Sequence, residues 1–212
     1  MDTTINAVQA KQMLVAAADA IIENKPYLTE VDNAIGDGDH GIGMSTGMSK
    51  GRDKLLAQHE FDSVYQPFLV MGKTMLMSMG GASGVLFGGL FMAGAKNKEP
   101  QSDMNAAELA ALFADGLAEI KTRGKAQIGD KTMVDALEPA VLAMQAHSGE
   151  GFPAMLRHGE QAALNGVEST KEMLAKYGRA KFLMERAIGH QDAGATSVWI
   201  ILKAMREFAE NN

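Results

Sequence analysis

Three carboxylates stand within eight residues in the run Asp32-Asn33-Ala34-Ile35-Gly36-Asp37-Gly38-Asp39-His40-Gly41. Carboxylates brought that close disfavour one another's ionisation, so their convergence calls for a cation. Hard oxygen donors beside a single histidine and no thiolate suit Mg2+ better than zinc. The flanking glycines let the chain fold tightly enough for all three to meet; the plain alternative is a solvated acidic turn. Three better-known motifs are matched in part and fail. Gly36, Gly38 and Gly41 fit the dinucleotide-binding glycine spacing, yet no strand precedes them and two aspartates fill the place of a pyrophosphate. A Ca2+-binding loop started at Asp37 puts Gly41, Ile42 and Met48 where an oxygen ligand, a glycine and a glutamate are needed. Gly72-Lys73-Thr74 ends like a phosphate-binding loop, but Pro67 occupies the first glycine position and the stretch reads as mid-helix.

A second run, Gly80-Gly81-Ala82-Ser83-Gly84, closes one apolar helix and opens another. Glycines admit a phosphate to the backbone, where the new helix offers free N–H groups and the positive end of its dipole. Ser83 adds a hydroxyl. By itself the turn could equally be a helix crossing; beside a metal cluster it supplies the anion site that a nucleotide triphosphate requires.

These runs have to be positioned by helices. From Asn105 the apolar positions Leu109, Leu112, Phe113, Leu117 and Ile120 make an amphipathic stripe, with Asn105 and Glu108 as a capping box and Gly124 at the end. The C-terminal segment repeats the pattern with Ala195, Val198, Trp199, Leu202, Met205 and Phe208. Similar stripes run through 5–24, 41–57, 64–79, 84–96, 131–147 and 154–177, and a short helix from about Thr29 should end near Asp32. No window alternates long enough to demand a strand. About eight helices in one all-α domain over 1–212 is the expectation, with the 16 methionines as adaptable core filler. Segments 96–104 and 148–153 read as plain loops. Glycines and polar residues gather instead at 32–43, 80–84, 124–132 and 189–194, the junctions where helices begin.

Composition narrows the classes. A net charge of −6 gives no basic face for nucleic acid, and the lack of cysteine excludes disulfides, thiolate metal sites and cysteine nucleophiles. The longest apolar run, 85–95, is too short for a membrane span. Met1-Asp2-Thr3-Thr4 lacks the build of a signal peptide, so a cytoplasmic location is expected. His59, His147 and His158 read as surface residues, and His190 as a residue that orients its loop.

Four runs in order, Asp32 with Gly36-Asp37-Gly38-Asp39-His40-Gly41, Gly80-Gly81-Ala82-Ser83-Gly84, Gly124-Lys125-Ala126 with Gly129-Asp130-Lys131-Thr132-Met133, and Gly189-His190-Gln191-Asp192 with Gly194-Ala195-Thr196-Ser197, resemble the L subunits of dihydroxyacetone kinases. The resemblance spans about residues 10–208. It implies an eight-helix antiparallel barrel with ADP or ATP at one end. Asp32, Asp37 and Asp39 would hold two Mg2+ ions that bridge the phosphates. His40, Gly41, Ala82 and Ser83 would lie at or around the phosphates, with Ile42 and Gly43 beside them, and Gly124, Thr132 and Met133 would line the adenine pocket. Arg179, Asp192, Ala193 and Gly194 would close the site, with His40 and Arg179 as the groups that act on the phosphoryl. Gly43 stands where the relatives carry asparagine, and Ala193 where they carry proline, which frees one φ angle.

The resemblance also implies partners. One design joins nucleotide-binding and sugar-binding regions in one chain that uses free ATP. In the other a separate L subunit keeps its ADP, which a phosphoprotein of the phosphoenolpyruvate-dependent phosphotransferase system rephosphorylates, and a K subunit holds dihydroxyacetone. The second is the expectation for this chain, with a homodimer as a further assembly. An ATP-dependent kinase of dihydroxyacetone or another short ketose, and a regulatory nucleotide-binding module, are the alternatives.

Overall fold

A computed structural model of the chain describes residues 4–212. The reading of Met1-Asp2-Thr3 as free of a targeting pattern, and the first three positions of the 1–212 domain, lie outside the described residues. Nine α-helices follow one another in the described part: α1 (Ala7–Glu23), α2 (Lys25–Ile35), α3 (His40–Ala57), α4 (Gln66–Ser78), α5 (Gly81–Ala93), α6 (Ala106–Gly124), α7 (Val134–Ala146), α8 (Phe152–Ser169) and α9 (Ala193–Asn211). No helix among them is long and apolar enough to cross a membrane.

Local chemistry sets most of the boundaries. Asn105 and Glu108 form the capping box expected for α6, and Asn6 with Gln9 forms another at the start of α1. Proline in the first turn starts α2, α4 and α8, where its missing N–H has no partner to lose. Lys125, in the left-handed conformation, stops α6 directly after Gly124.

The helices close into a ring. α1 packs on α3 at one side and α9 at the other, and the circuit between them runs through α4, α5, α6, α7 and α8. Eight helices thus make the wall of a barrel, while α2 lies outside the circuit against α3 and α9. Short connections turn each helix back beside its predecessor, so neighbours alternate in direction. Phe68, Phe87, Phe91 and Phe113 fill the interior together with Met13, Met44, Met48, Met71 and Met75, all fully buried. Burying each such side chain contributes roughly 1.5–3 kcal/mol. α4 and α5 approach so closely at Gly72 and Gly88 that a Cβ on Gly72 would lie 2.6 Å from the Gly88 carbonyl oxygen.

The structure corrects several expectations. A short antiparallel ribbon pairs β1 (Thr4–Asn6), where the 5–24 helical stripe was expected to start, with β2 (Asp103–Asn105), at the end of the 96–104 segment that read as a plain loop, in the register Ile5 to Met104. Three residues per strand are too few to leave an alternation signal in the sequence. α2 begins at Lys25, four residues before Thr29, because Pro26 favours a first turn. The stripe read over 154–177 stops at Ser169; a 3-10 turn, Thr170–Glu172, and then irregular chain follow. A further 3-10 segment, Ala180–Ala187, precedes α9 and contains Met184 in the left-handed region at φ 53°. α7 starts at Val134 rather than 131, since Lys131 is itself left-handed at φ 59°.

Candidate nucleotide and metal site

Alternating helix direction puts the N-termini of α3, α5, α7 and α9 at one end of the barrel. The β1–β2 ribbon ties the starts of α1 and α6 together at the other. At the first end a cavity of about 350 Å3 opens. Its wall takes His40 from the start of α3, Ala82 and Ser83 from α5, Met133 and Val134 from α7, and Ala193 and Gly194 from α9. The N-cap residues of α3, α5 and α7 make no side-chain cap. Asp32 takes the His40 N–H and Thr132 the Val134 N–H, while the start of α5 has no side-chain partner, and four positive dipole ends address one space. Such an arrangement binds anions.

The carboxylates face the same cavity. Asp32 lies one turn before the end of α2, and Asp37 and Asp39 lie in the turn that leads to α3. Each offers an oxygen, and the three oxygens lie within 4.8 Å of one another. A Cβ on Gly36 would stand 2.2 Å from Asp32 Oδ1, so glycine is what leaves this carboxylate its place. The His40 backbone N–H donates to Asp32 Oδ2 at 3.1 Å, and Arg179 Nε pairs with Asp37 Oδ2 at 2.8 Å. Desolvation, followed by the charges of Asp37 and Asp32, raises the Asp39 carboxyl above the usual carboxylate range, exposed though the residue is. A cation would relieve that repulsion, and an all-oxygen donor set fits Mg2+.

His40 Nε2 is 2.8 Å from Ser197 Oγ, and burial lowers its pKa, so the ring is held neutral and oriented by α9. Asp192 caps α9 by accepting from the Ala195 N–H at 2.8 Å. Burial pushes its carboxyl up to about 7, opposed by that hydrogen bond and by Lys131.

Of the residues singled out from the sequence, the cavity wall contains Asp32, Asp37, Asp39, His40, Ala82, Ser83, Gly124, Thr132, Met133, Arg179, Asp192, Ala193 and Gly194. It does not contain Gly41, Ile42 or Gly43. Gly41 is buried against Thr29 and the Lys25 carbonyl, Ile42 is 52% exposed, and Gly43 has open space where a side chain would project. The wall adds residues that the sequence left unassigned: Leu86, Phe87, Ile120, Ala126, Lys131 and Tyr177. Leu86 and Ile120 belong to ordinary apolar stripes, and only ring closure reveals which end of the barrel they occupy.

Lys131 is the main omission. It is 1% exposed, and its ammonium donates to the carbonyls of Thr170 and His190. Its backbone is left-handed, and in the sequence it is one more charge within a run of glycine and charged residues, with no local signal of its role. Together with the Lys176–Asp130 ion pair at 2.6 Å and the Tyr177 hydroxyl donating to the Lys125 carbonyl at 3.1 Å, it pins the arm that carries Tyr177 and Arg179.

The DAK2 domain model matches residues 34–207. The chain is 37% identical, over 95% of its length and 97% of the relative's, to the ADP-binding subunit of a PEP-dependent dihydroxyacetone kinase from Escherichia coli (strain K12). It is likewise 37% identical, over 98% of its length and 97% of the relative's, to that of a PTS-dependent enzyme from Lactococcus lactis subsp. lactis (strain IL1403). Among solved structures, the dihydroxyacetone kinase from C. freundii in complex with AMP-PNP and Mg2+ superposes with a TM-score of 0.74 at 26% identity. The match covers 98% of this chain and 35% of that one, so the chain spans about a third of the kinase's length.

Proposed function

The chain belongs to the DAK2 domain family, and from that footing we propose that it is the ADP-binding subunit of a phosphoenolpyruvate-dependent dihydroxyacetone kinase. In this reading it carries ADP/ATP and passes a phosphoryl group from a phosphotransferase-system phosphoprotein to dihydroxyacetone held on a K subunit. The observation that carries the reading is the meeting of three carboxylates and four helix N-termini on one cavity. Like charges and anion-attracting dipoles share a space comfortably when a metal–phosphate group lies between them.

Asp32, Asp37 and Asp39 would hold two Mg2+ ions, which supply neutralising charge to the phosphates. The N–H groups at the start of α5, with the Ser83 hydroxyl, take phosphate oxygens. His40, kept neutral by burial and fixed by Ser197, borders the phosphates without adding a charge. Arg179 is 72% exposed and rests on Asp37, so its guanidinium is free to turn onto a transferring phosphoryl group. Leu86, Ile120, Ala126 and Met133 give the apolar lining that an adenine ring requires, beside Gly124, where a Cβ would stand 3.3 Å from Leu86 Cδ2.

The sugar and the donor arrive on partners. Ile42, Met77, Phe182 and Met184 are exposed by 52%, 82%, 70% and 66% on the elements that border the mouth, and a docked subunit would cover them. We place the protein in the cytoplasm, where such phosphoproteins work.

Retention of the nucleotide tests the reading. Protein loaded with radiolabelled ADP and Mg2+ should keep the label through many turnovers when K subunit, dihydroxyacetone and phosphoprotein donor are supplied with excess unlabelled nucleotide. Rapid washout with steady turnover on free ATP would refute it.

A further inference from the structure

At the far end of α7 from the cavity, two histidines and a glutamate come together. His147 ends α7, Glu150 lies in the 3-10 turn that follows, and His158 lies in α8. With 13 residues at 1.5 Å each, α7 sets this corner about 20 Å from its own start at the nucleotide site. Gly159 makes the approach possible: a Cβ there would stand 2.7 Å from Met144 Cγ, so α8 lies close on the last turns of α7.

The two imidazoles stack at 3.6 Å between centroids with an interplanar angle of 9°. Glu150 reaches both: Oε1 is 2.7 Å from His147 Nδ1, and Oε2 is 3.9 Å from His158 Nε2. One ligand atom from each of the three residues lies within 4.8 Å of the other two. The 3.9 Å gap is too long for a hydrogen bond, and a small turn of either side chain brings it to the roughly 3.3–3.4 Å that separates two donors held at about 2.0–2.1 Å around a tetrahedral ion. Glu150 has no lysine or arginine partner among the described residues, so no fixed cation already claims its charge. Side-chain exposures of 34%, 52% and 47% for His147, Glu150 and His158 leave the rings and the carboxylate free to turn toward a common point.

We propose that His147, Glu150 and His158 bind one divalent transition-metal ion, of the borderline class typified by Zn2+, and so tie α7 to α8 at the end of the barrel opposite the nucleotide. Two neutral imidazoles and a carboxylate are a common zinc donor set, with water in the fourth position. They discriminate against Mg2+, which prefers oxygen and an octahedral shell. The ion takes the place of the hydrogen bond between His147 and Glu150.

Visible absorption of added Co2+ reads the site directly. Tag-free protein should bind one equivalent with the intense d–d bands of a four-coordinate ion, and equimolar Zn2+ should remove them. His147→Gln and His158→Gln should each weaken binding at least ~10-fold, with circular dichroism and Mg2+–ADP affinity unchanged. The Asp37→Asn/Asp39→Asn double variant should keep the bands. Zn2+ should also raise the melting temperature of the wild type but not of the histidine variants. Bands that survive in both histidine variants, bands lost with the aspartates, or saturation only at millimolar metal would each overturn the proposal.

Discussion

Lys131→Met tests whether the buried ammonium holds the Tyr177–Arg179 arm in place. Methionine matches the length of lysine without charge or donors. The change removes two charge-assisted hydrogen bonds, to the carbonyls of Thr170 and His190. The Thr170 carbonyl keeps the Met173 N–H at 3.2 Å, so the His190 carbonyl is the group most exposed to the loss. Asp192 and Asp135 lose a neighbouring positive charge as well. A hydrogen bond to a charged group is worth about 1.5–3 kcal/mol, and relief from burying the ammonium offsets part of the sum. A net loss of about 3 kcal/mol follows. At roughly 2–4 °C per kcal/mol for a domain of this size, the melting temperature should fall by roughly 6–12 °C. Because the arm carries four wall residues, Tyr177 to Ala180, ADP affinity should drop about 10-fold, or ~1.4 kcal/mol, while far-ultraviolet circular dichroism stays unchanged. Hydrogen exchange should speed up in the 170–190 segment before it does elsewhere. A melting temperature within about 1 °C of wild type, or unaltered exchange in that segment, would show that the lysine is only filling space.

Asp39→Asn should abolish Mg2+-dependent ADP binding in calorimetry. Its pKa is raised in the folded state, so ionisation destabilises the metal-free fold, and the variant should melt at or above the wild-type temperature near neutral pH without metal. Asp192, raised to about 7, makes the nucleotide-free protein lose stability as pH rises from the usual carboxylate range through about 7. Asp192→Asn keeps a competent N-cap and should flatten that slope in urea titrations at several pH values, whereas an unchanged slope would assign it to other groups. Gly36→Ala forces a methyl to within 2.2 Å of Asp32 Oδ1, and ADP–Mg2+ affinity should fall by an order of magnitude or more while helix content holds. Wild-type affinity in that variant would mean that Asp32 is not fixed where the metal needs it.

The sequence carried whatever is encoded within a few residues. The Asn105–Glu108 cap, the helical periodicity, the glycine-flanked aspartates and the Gly80–Ser83 turn all depend on neighbours three or four positions away, and they were legible as such. The family resemblance added the barrel and the order of its runs. What the sequence could not express is closure. Only when α9 packs on α1 do four helix starts, distant along the chain, share one cavity. Packing decides exposure as well: α2 buries Gly41 against Thr29 and Lys25, while Ile42 is turned outward and Gly43 lies off the wall, although all three adjoin His40. Lys131 reads locally as one more charge in a polar loop, and its role exists only through carbonyls 39 and 59 residues away. His147 and His158 read as two surface histidines because nothing local states that α7 and α8 cross closely at Gly159. Local propensity is a short-range energy summed along the chain, whereas a site is a set of distances between remote residues, and those are fixed by packing.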